Sequence, residues 1–242
     1  MTSLQDSFRF GIIVQARMGS KRLPGKVLAP IQGRPLIDYV LQSLQNCGST
    51  GALIVATSNL SADDAIADYC DLNNVVCYRG PEKNVAARFF ELTRRYKWDA
   101  FFRVSADSPL LDYRLLDQIA EQYVRDPVDL ITNVFPRTFP RGQSVELLHS
   151  KTFVEAYPMM QDQEDLEHVT RFFYRNAKNY NVKNIHASKD MGHVHMAVDE
   201  DDDLQVAKKV LTKMRRFHWS YTLPQKVALW TEEKRWLGRK AA

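Results

Sequence analysis

Four cations fall within ten residues at Arg17, Lys21, Arg22 and Lys26, interspersed with Gly19, Ser20 and Gly25. A polyphosphate site needs this combination of fixed positive charge, extra donors and close main-chain approach. Glycine lets several backbone N–H groups turn toward one anion. Arginine offers a rigid fork of donors and lysine a point charge. The run has neither the G-x-x-x-x-G-K-[ST] of a P-loop nor the G-x-G-x-x-G of a dinucleotide site. Composition alone would explain it about as well as a solvated turn. Its place directly after the apolar run Phe10 to Gln15 favours a phosphate site.

Asp107 and Asp199 each follow a short strand-like run. Carboxylate oxygens suit Mg2+, which takes one or two of them and completes its shell with water and phosphate. Neither aspartate sits among histidines and cysteines, so zinc is a poor candidate. Taken singly, helix capping is the commoner fate of such residues: Pro109 and Leu110 follow Asp107, and Asp201 to Asp203 lie beside Asp199. His193 and His195 alternate on a predicted strand without a third ligand and read as packed or solvent-facing imidazoles. Cys47, Cys70 and Cys77 share no metal-ligand spacing and are odd in number, as expected of reduced thiols in a reducing compartment.

The elements that must position these residues alternate. Strands are predicted at Phe10 to Gln15, Leu53 to Thr57, Val75 to Tyr78 and Ala100 to Ser105. Helical stripes run through Leu36, Val40 and Leu44 with Pro35 in the first turn, through Ile66 and Tyr69 behind an N-cap at Ser61, through Val85, Phe89, Leu92 and Tyr96, and through Leu115, Leu116, Ile119 and Tyr123. Such alternation predicts an α/β fold, a mostly parallel sheet with helices on both faces. Ligands in such sheets lie beyond the carboxyl ends of the strands. From Pro136 to Ile185 the rhythm breaks. Pro136, Pro140 and Gly142 mark a loop, Val145 to Leu148 a strand, and Val169, Phe172 and Phe173 an aromatic helix face. The sheet is expected to resume at His195 to Val198, and Asp201 to Asp203 to cap a last helix through Ala207, Val210, Leu211 and Met214. The basic tail from Tyr221, with Trp230 and Trp236, either packs as a helix or frays.

The 242 residues, 45% hydrophobic and 26% charged, fit a single domain over 1–242 with an irregular segment near 136–176. The net charge of +4, from 33 basic and 29 acidic side chains, is too mild for nucleic acid as the main partner and suits a small anionic substrate. No apolar run approaches the ~20 residues of a membrane span. The first residues, with Asp6 and Arg9, lack the apolar stretch of a signal peptide. A soluble, cytoplasmic protein is expected.

The segment Ile13-Val-Gln-Ala-Arg-Met-Gly-Ser-Lys-Arg-Leu-Pro-Gly-Lys26 resembles the signature loop of the CMP-sugar cytidylyltransferases, the acylneuraminate and ketodeoxyoctonate synthetases, and most of all the branch named for spore-coat polysaccharide protein F. Five further segments are similar in order: Val55 to Asn59, Tyr78 to Arg88, Arg103 to Leu110, Glu167-His-Val-Thr170, and Met196 to Asp199. The resemblance implies the nucleotide-diphospho-sugar transferase fold, which is GT-A-like and Rossmann-like. It also implies transfer of CMP from CTP to an acidic or modified sugar-like acceptor with release of pyrophosphate, in surface polysaccharide or glycoconjugate synthesis. A homodimer with its contact in the irregular segment is implied as well. On this reading Arg17, Lys21, Arg22 and Lys26 hold the triphosphate beside Ala16, Gly19 and Ser20. Arg79, Arg88 and Ser105 lie near the cytidine, and Asp107 and Asp199 hold Mg2+. Arg103, Arg137, Arg141, Glu146 and His168 are the candidates for the acceptor side.

The sequence departs from the family pattern at Val27, Asn84 and Ser105 near the nucleotide, and at Gln143, Ser144 and Leu166 toward the acceptor. Two alternatives stand beside the main reading. A glycosyltransferase of the same fold would need a D-x-D pair where this chain has Asp107-Ser-Pro. A catalytically weakened nucleotide-binding assembly protein would keep the loop without turnover.

Overall fold

The structure is a computed structural model that describes residues 8–49 and 51–241. Asp6 lies outside the described residues. The strands are β1 (Phe10–Gln15), β2 (Pro30–Ile31), β3 (Arg34–Pro35), β4 (Ala52–Ser58), β5 (Val76–Gly80), β6 (Ala100–Ser105), β7 (Leu130–Thr132), β8 (Glu146–His149) and β9 (Val182–Asn184). The helices are α1 (Leu36–Leu44), α2 (Asp64–Leu72), α3 (Val85–Tyr96), α4 (Arg114–Arg125), α5 (Ser150–Ala156), α6 (Gln163–His168), α7 (Arg171–Arg175), α8 (Asp201–Lys213) and α9 (Leu223–Ala241).

Among the described residues seven strands form one sheet in the order β5-β4-β1-β6-β8-β7-β9. β1 pairs in parallel with β4 and β6, and β4 with β5. β8 runs antiparallel to both its neighbours, and β9 is parallel to β7. Helices cover both faces. Phe10, Ile12 and Val14 of β1 join a core built with α1, α4, α8 and α9, while Ile13 turns into a second core with α3, α5 and α7. A strand covered on both sides can be apolar at every position, which is why β1 reads as a continuous hydrophobic run.

Several expectations change. His195 to Val198 is no strand of this sheet. Its backbone groups bond to loops instead: the Arg141 N–H donates to the Val194 carbonyl at 2.9 Å, the Met196 N–H to Arg141 at 2.8 Å and the Val198 N–H to Asp107 at 2.9 Å. The last bond nonetheless puts Asp199 beside Asp107. Ser61 does not cap α2; it opens a short 3-10 turn, Ser61–Asp63, and the Asp63 carboxylate turns back toward the first loop. Pro35 is the residue before α1, in extended conformation, rather than in its first turn. Glu200 is the N-cap of α8 and Asp203, from the predicted aspartate run, closes a reciprocal capping box with it. The irregular segment supplies β8 to the interior of the sheet and the buried Phe153 and Phe173 to the second core. The tail packs as α9, with Trp230 buried.

Candidate active site

β1 and β6 are neighbours in parallel register, Gln15 opposite Ser105, so the loops that follow them leave the same edge of the sheet. The Ala16 N–H bonds to the Ala56 carbonyl at 3.1 Å and the Ala106 N–H to Gln15 at 3.0 Å, carrying the ladder one residue past the strands. The basic loop then folds on itself. The N–H groups of Ser20 and Gly25 both donate to the Met18 carbonyl at 2.9 Å. Gly25 holds φ +74°, a region open to glycine at little cost. Gly19 needs no such freedom, and a side chain there would meet nothing within 4 Å.

Asp63, invisible as a site residue in the sequence, ties this loop down. Its buried carboxylate accepts from the Met18 N–H at 2.7 Å, from the Ser58 N–H at 3.0 Å and from the Ser58 hydroxyl. Burial opposes its charge, but these donors outweigh burial and hold its pKa below the usual carboxylate value. A carboxylate with a depressed pKa stabilises the fold above its unfolded pKa, and that contribution is lost as pH falls through its folded value. Asp63→Ala is expected to cost on the order of 2–3 kcal/mol at pH 7, because three donors lose their acceptor. Urea midpoints at pH 7 and near pH 3 check this. The gap between variant and wild type should narrow in acid; a gap independent of pH would mean that an ionised Asp63 is not the tether.

Lys26 enters a short 3-10 turn, Lys26–Leu28, and is buried. Its ammonium donates to Asp107 Oδ2 at 2.8 Å, to Asp199 Oδ1 at 2.9 Å and to the Val198 carbonyl at 2.8 Å. Burial pulls the Lys26 pKa down, yet the two carboxylates win and hold it above the usual lysine value. Asp199 Oδ2 meets Arg22 at 3.0 Å and lies 3.2 Å from His195 Nε2, outside hydrogen-bonding geometry. Burial would raise the Asp199 pKa, but Lys26, Arg22 and His195 together lower it. Asp107 Oδ1 accepts from the Ser108 hydroxyl at 3.1 Å. The Asp199 and Glu200 N–H groups both donate to Asp203 at 3.2 Å, which fixes the main chain under Asp199.

These groups line a cleft of about 370 Å3. Arg17, Ser20, Lys21, Arg22, Lys26, Ser105, Asp107, His168 and Asp199 all face it, joined by Gln15 and Val27. Arg17 also reaches Glu167 at 3.0 Å, linking the loop to α6. His168 is delivered by a strained turn. Val169 sits at φ +48°, ψ −62°, and the Thr170 N–H bonds back to the His168 carbonyl. This is the rare φ-positive γ-turn, costly for a β-branched residue, and such strain gathers at functional sites.

Not every candidate lines the cleft. Arg79 is spent on the Ser58 and Leu60 carbonyls and on Asp64, the last at 2.6 Å. Arg88 is 1% exposed and braces the turn before α3 through the carbonyls of Pro81 and Glu82 at 2.8 and 2.9 Å. Ala16 is buried beneath the loop. Arg103, Arg137, Arg141 and Glu146 form an adjoining group. Arg103 pairs with the buried Glu146 at 2.6 Å and touches Gln15 of the cleft wall at 3.3 Å. Tyr174, absent from the sequence reading, donates its hydroxyl to Glu146. Burial, and then the Glu146 charge, push its phenol pKa up. Arg137 has its pKa lowered by burial and by the nearby Arg141, with Glu146 opposing.

A larger concavity of about 530 Å3 lies between α1 and the end of α8, walled by Arg34, Tyr39, Phe217 and Trp219. Among the described residues no carboxylate lines it, so paired acids and cations mark the smaller cleft as the place for chemistry. Asp107 and Asp199 each direct one oxygen at the same cation, Lys26. Among the described residues no cluster of three or more His, Cys, Asp or Glu could cage a metal. Two carboxylates converging on one cation position are a donor set of the kind taken by an ion such as Mg2+, which draws most of its shell from phosphate and water.

The family described as Cytidylyltransferase matches residues 11–210. The spore coat polysaccharide biosynthesis protein SpsF of Bacillus subtilis is 26% identical over 209 residues, covering 83% of this chain and 85% of its own. The 3-deoxy-manno-octulosonate cytidylyltransferase of Chlorobium chlorochromatii is 32% identical over 127 residues, 52% of this chain and 50% of that enzyme, so the match spans about half of each. A solved cytidylyltransferase from Leptospira borgpetersenii shares the fold with a TM-score of 0.88 at 22% identity, over 94% of this chain and 96% of its own. The fold is that of the nucleotide-diphospho-sugar transferases. With its phosphate-type loop, converging acids and family match in agreement, this chain belongs to the cytidylyltransferase family and is a nucleotidyltransferase.

Proposed function

We propose that the protein transfers CMP from CTP to an acidic sugar or sugar-like acceptor and releases pyrophosphate. The observation that carries this reading is the convergence of the four-cation loop and two carboxylates on one cleft. Arg17, Ser20, Lys21, Arg22 and Lys26 hold the β- and γ-phosphates and stabilise the leaving pyrophosphate. Such transfers depend on positioning and charge neutralisation more than on covalent chemistry. Asp107 and Asp199 hold Mg2+, which when bound supplies positive charge at the phosphates. Ser105 and Gln15 line the cleft, and on this reading they lie beside the nucleotide.

An acidic acceptor is favoured by charge. Arg103 pairs with Glu146, and Arg137, near both Glu146 and Arg141, adds positive charge beside that carboxylate, which an incoming anion balances. His168 lines the cleft. A role in surface polysaccharide synthesis is supported by the similarity to the spore coat protein. A cytoplasmic homodimer with its contact in 136–176 is part of the same proposal. Among the described residues no helix is long and apolar enough to cross a membrane.

The test is pyrophosphate release with each nucleoside triphosphate, Mg2+ and a panel of neutral and carboxylated sugars. CTP with a carboxylated sugar should support turnover. Transfer from a nucleotide-sugar donor, without release from any triphosphate, would replace this reading with a glycosyltransferase; nucleotide binding without turnover would replace it with an assembly protein.

A further inference from the structure

The innermost cation of the cleft leaves nothing free for phosphate. An ammonium has three donors. Those of Lys26 go to Asp107 Oδ2 at 2.8 Å, Asp199 Oδ1 at 2.9 Å and the Val198 carbonyl at 2.8 Å. Arg22 closes the remaining oxygen of Asp199 at 3.0 Å. The two acids assigned to the metal are neutralised by side chains of the phosphate loop.

We propose that Lys26 is a resident counter-ion: it occupies the cation position between Asp107 and Asp199, and yields that position to a divalent ion when a triphosphate offers its ammonium another anion. This inference rests on the assignment of Asp107 and Asp199 as the metal carboxylates. A divalent ion at ~2.1 Å from either oxygen would lie within about 5 Å of the ammonium where it now stands. In a partly buried cleft, like charges at that range exclude one another. Lys26 must therefore move before the ion is held well. The long lysine stem lets the ammonium swing toward a β- or γ-phosphate while its backbone stays in the 3-10 turn. Nucleotide then raises metal affinity, and linkage requires metal to raise nucleotide affinity by the same factor. The arrangement also keeps two carboxylates side by side that would repel without a cation between them.

The probe is Mn2+, with free ion followed by electron paramagnetic resonance in the absence of nucleotide. Lys26→Met should bind Mn2+ at least ~10-fold more tightly than wild type, since removing a like charge strengthens a cation site. Adding Asp199→Asn to Lys26→Met should remove the gain. A non-reacting α,β-methylene analogue of CTP should improve Mn2+ binding by a smaller factor in Lys26→Met than in wild type. Equal or weaker Mn2+ binding by folded Lys26→Met overturns the proposal. A second measurement needs no variant to fold: in wild-type protein the 15Nζ resonance of Lys26 should shift when the analogue and Mg2+ are added together, and an unmoved resonance also overturns it. The two readings fail differently. If Asp107→Asn and Asp199→Asn weaken Mn2+ binding in the nucleotide complex while Lys26→Met gains nothing without nucleotide, the counter-ion idea alone falls. If those two variants leave Mn2+ binding in that complex unchanged, the metal assignment falls and takes the counter-ion with it.

Discussion

Asp199→Ala is expected to lower CTP-dependent pyrophosphate release by about 10³-fold, with the fold intact. Asp199 contacts Lys26 through one oxygen and Arg22 through the other, so its removal takes away a carboxylate proposed to hold the metal and one partner from each of two cations. Removing a single charge-stabilising contact in an active site commonly costs ~10²–10³ in rate, and here one substitution disturbs three groups. The fold should survive because Lys26 keeps Asp107 and the Val198 carbonyl as partners. The depressed pKa of Asp199 and the raised pKa of Lys26 mean that both stay charged at neutral pH. Steady-state kinetics, with near-ultraviolet dichroism to confirm folding, checks this. Activity within about tenfold of wild type would remove Asp199 from the chemistry.

Gly142→Ala should be nearly as damaging although Gly142 does not line the cleft. Its φ of +91° is one that residues with a side chain rarely adopt. A methyl group there would lie 2.6 Å from the Ala197 nitrogen and 2.7 Å from the Met196 carbonyl carbon. These are backbone atoms and cannot swing aside, so the segment leading into Asp199 must move. Displacement of a catalytic group by about 1 Å can cost ~10²-fold in rate. The overpacking itself should cost on the order of 1–3 kcal/mol of stability. Both kcat/KM and the urea midpoint should fall. A variant with a lowered midpoint but wild-type kcat/KM would mean that Gly142 serves the fold without aiming Asp199.

The legible parts of this protein were those written in local pattern. β1 shows itself by a continuous apolar run, β6 by a short aromatic and apolar run, and α3 and α4 by a 3.6-residue stripe, because burial on one or two faces imposes those patterns. The basic loop was visible because its charges are adjacent in sequence. What stayed hidden depends on contacts between distant segments. The strands β7 and β9 are three residues each, too short for a period, and gain their identity only from pairing with β8 and each other. His195 to Val198 alternates like a strand but spends its hydrogen bonds on the loops at Arg141 and Asp107. Asp63 reads as a first-turn acid, and only the fold brings it 45 residues back to Met18. Tyr174 looks like one more aromatic residue of a helix, yet its hydroxyl meets Glu146. Arg79 and Arg88 show the reverse case: their positions suggest nucleotide contacts, while their guanidiniums brace neighbouring turns.

A crystal structure with CTP and Mg2+ would put the shared site to the most direct test. The triphosphate should lie in the cleft, its β- and γ-phosphates within hydrogen-bonding distance of Arg17, Arg22 and Lys26, and its α-phosphate turned toward Asp107 and Asp199. A triphosphate bound instead in the concavity beside Arg34, Phe217 and Trp219, with the Lys26 cleft empty, would contradict the account.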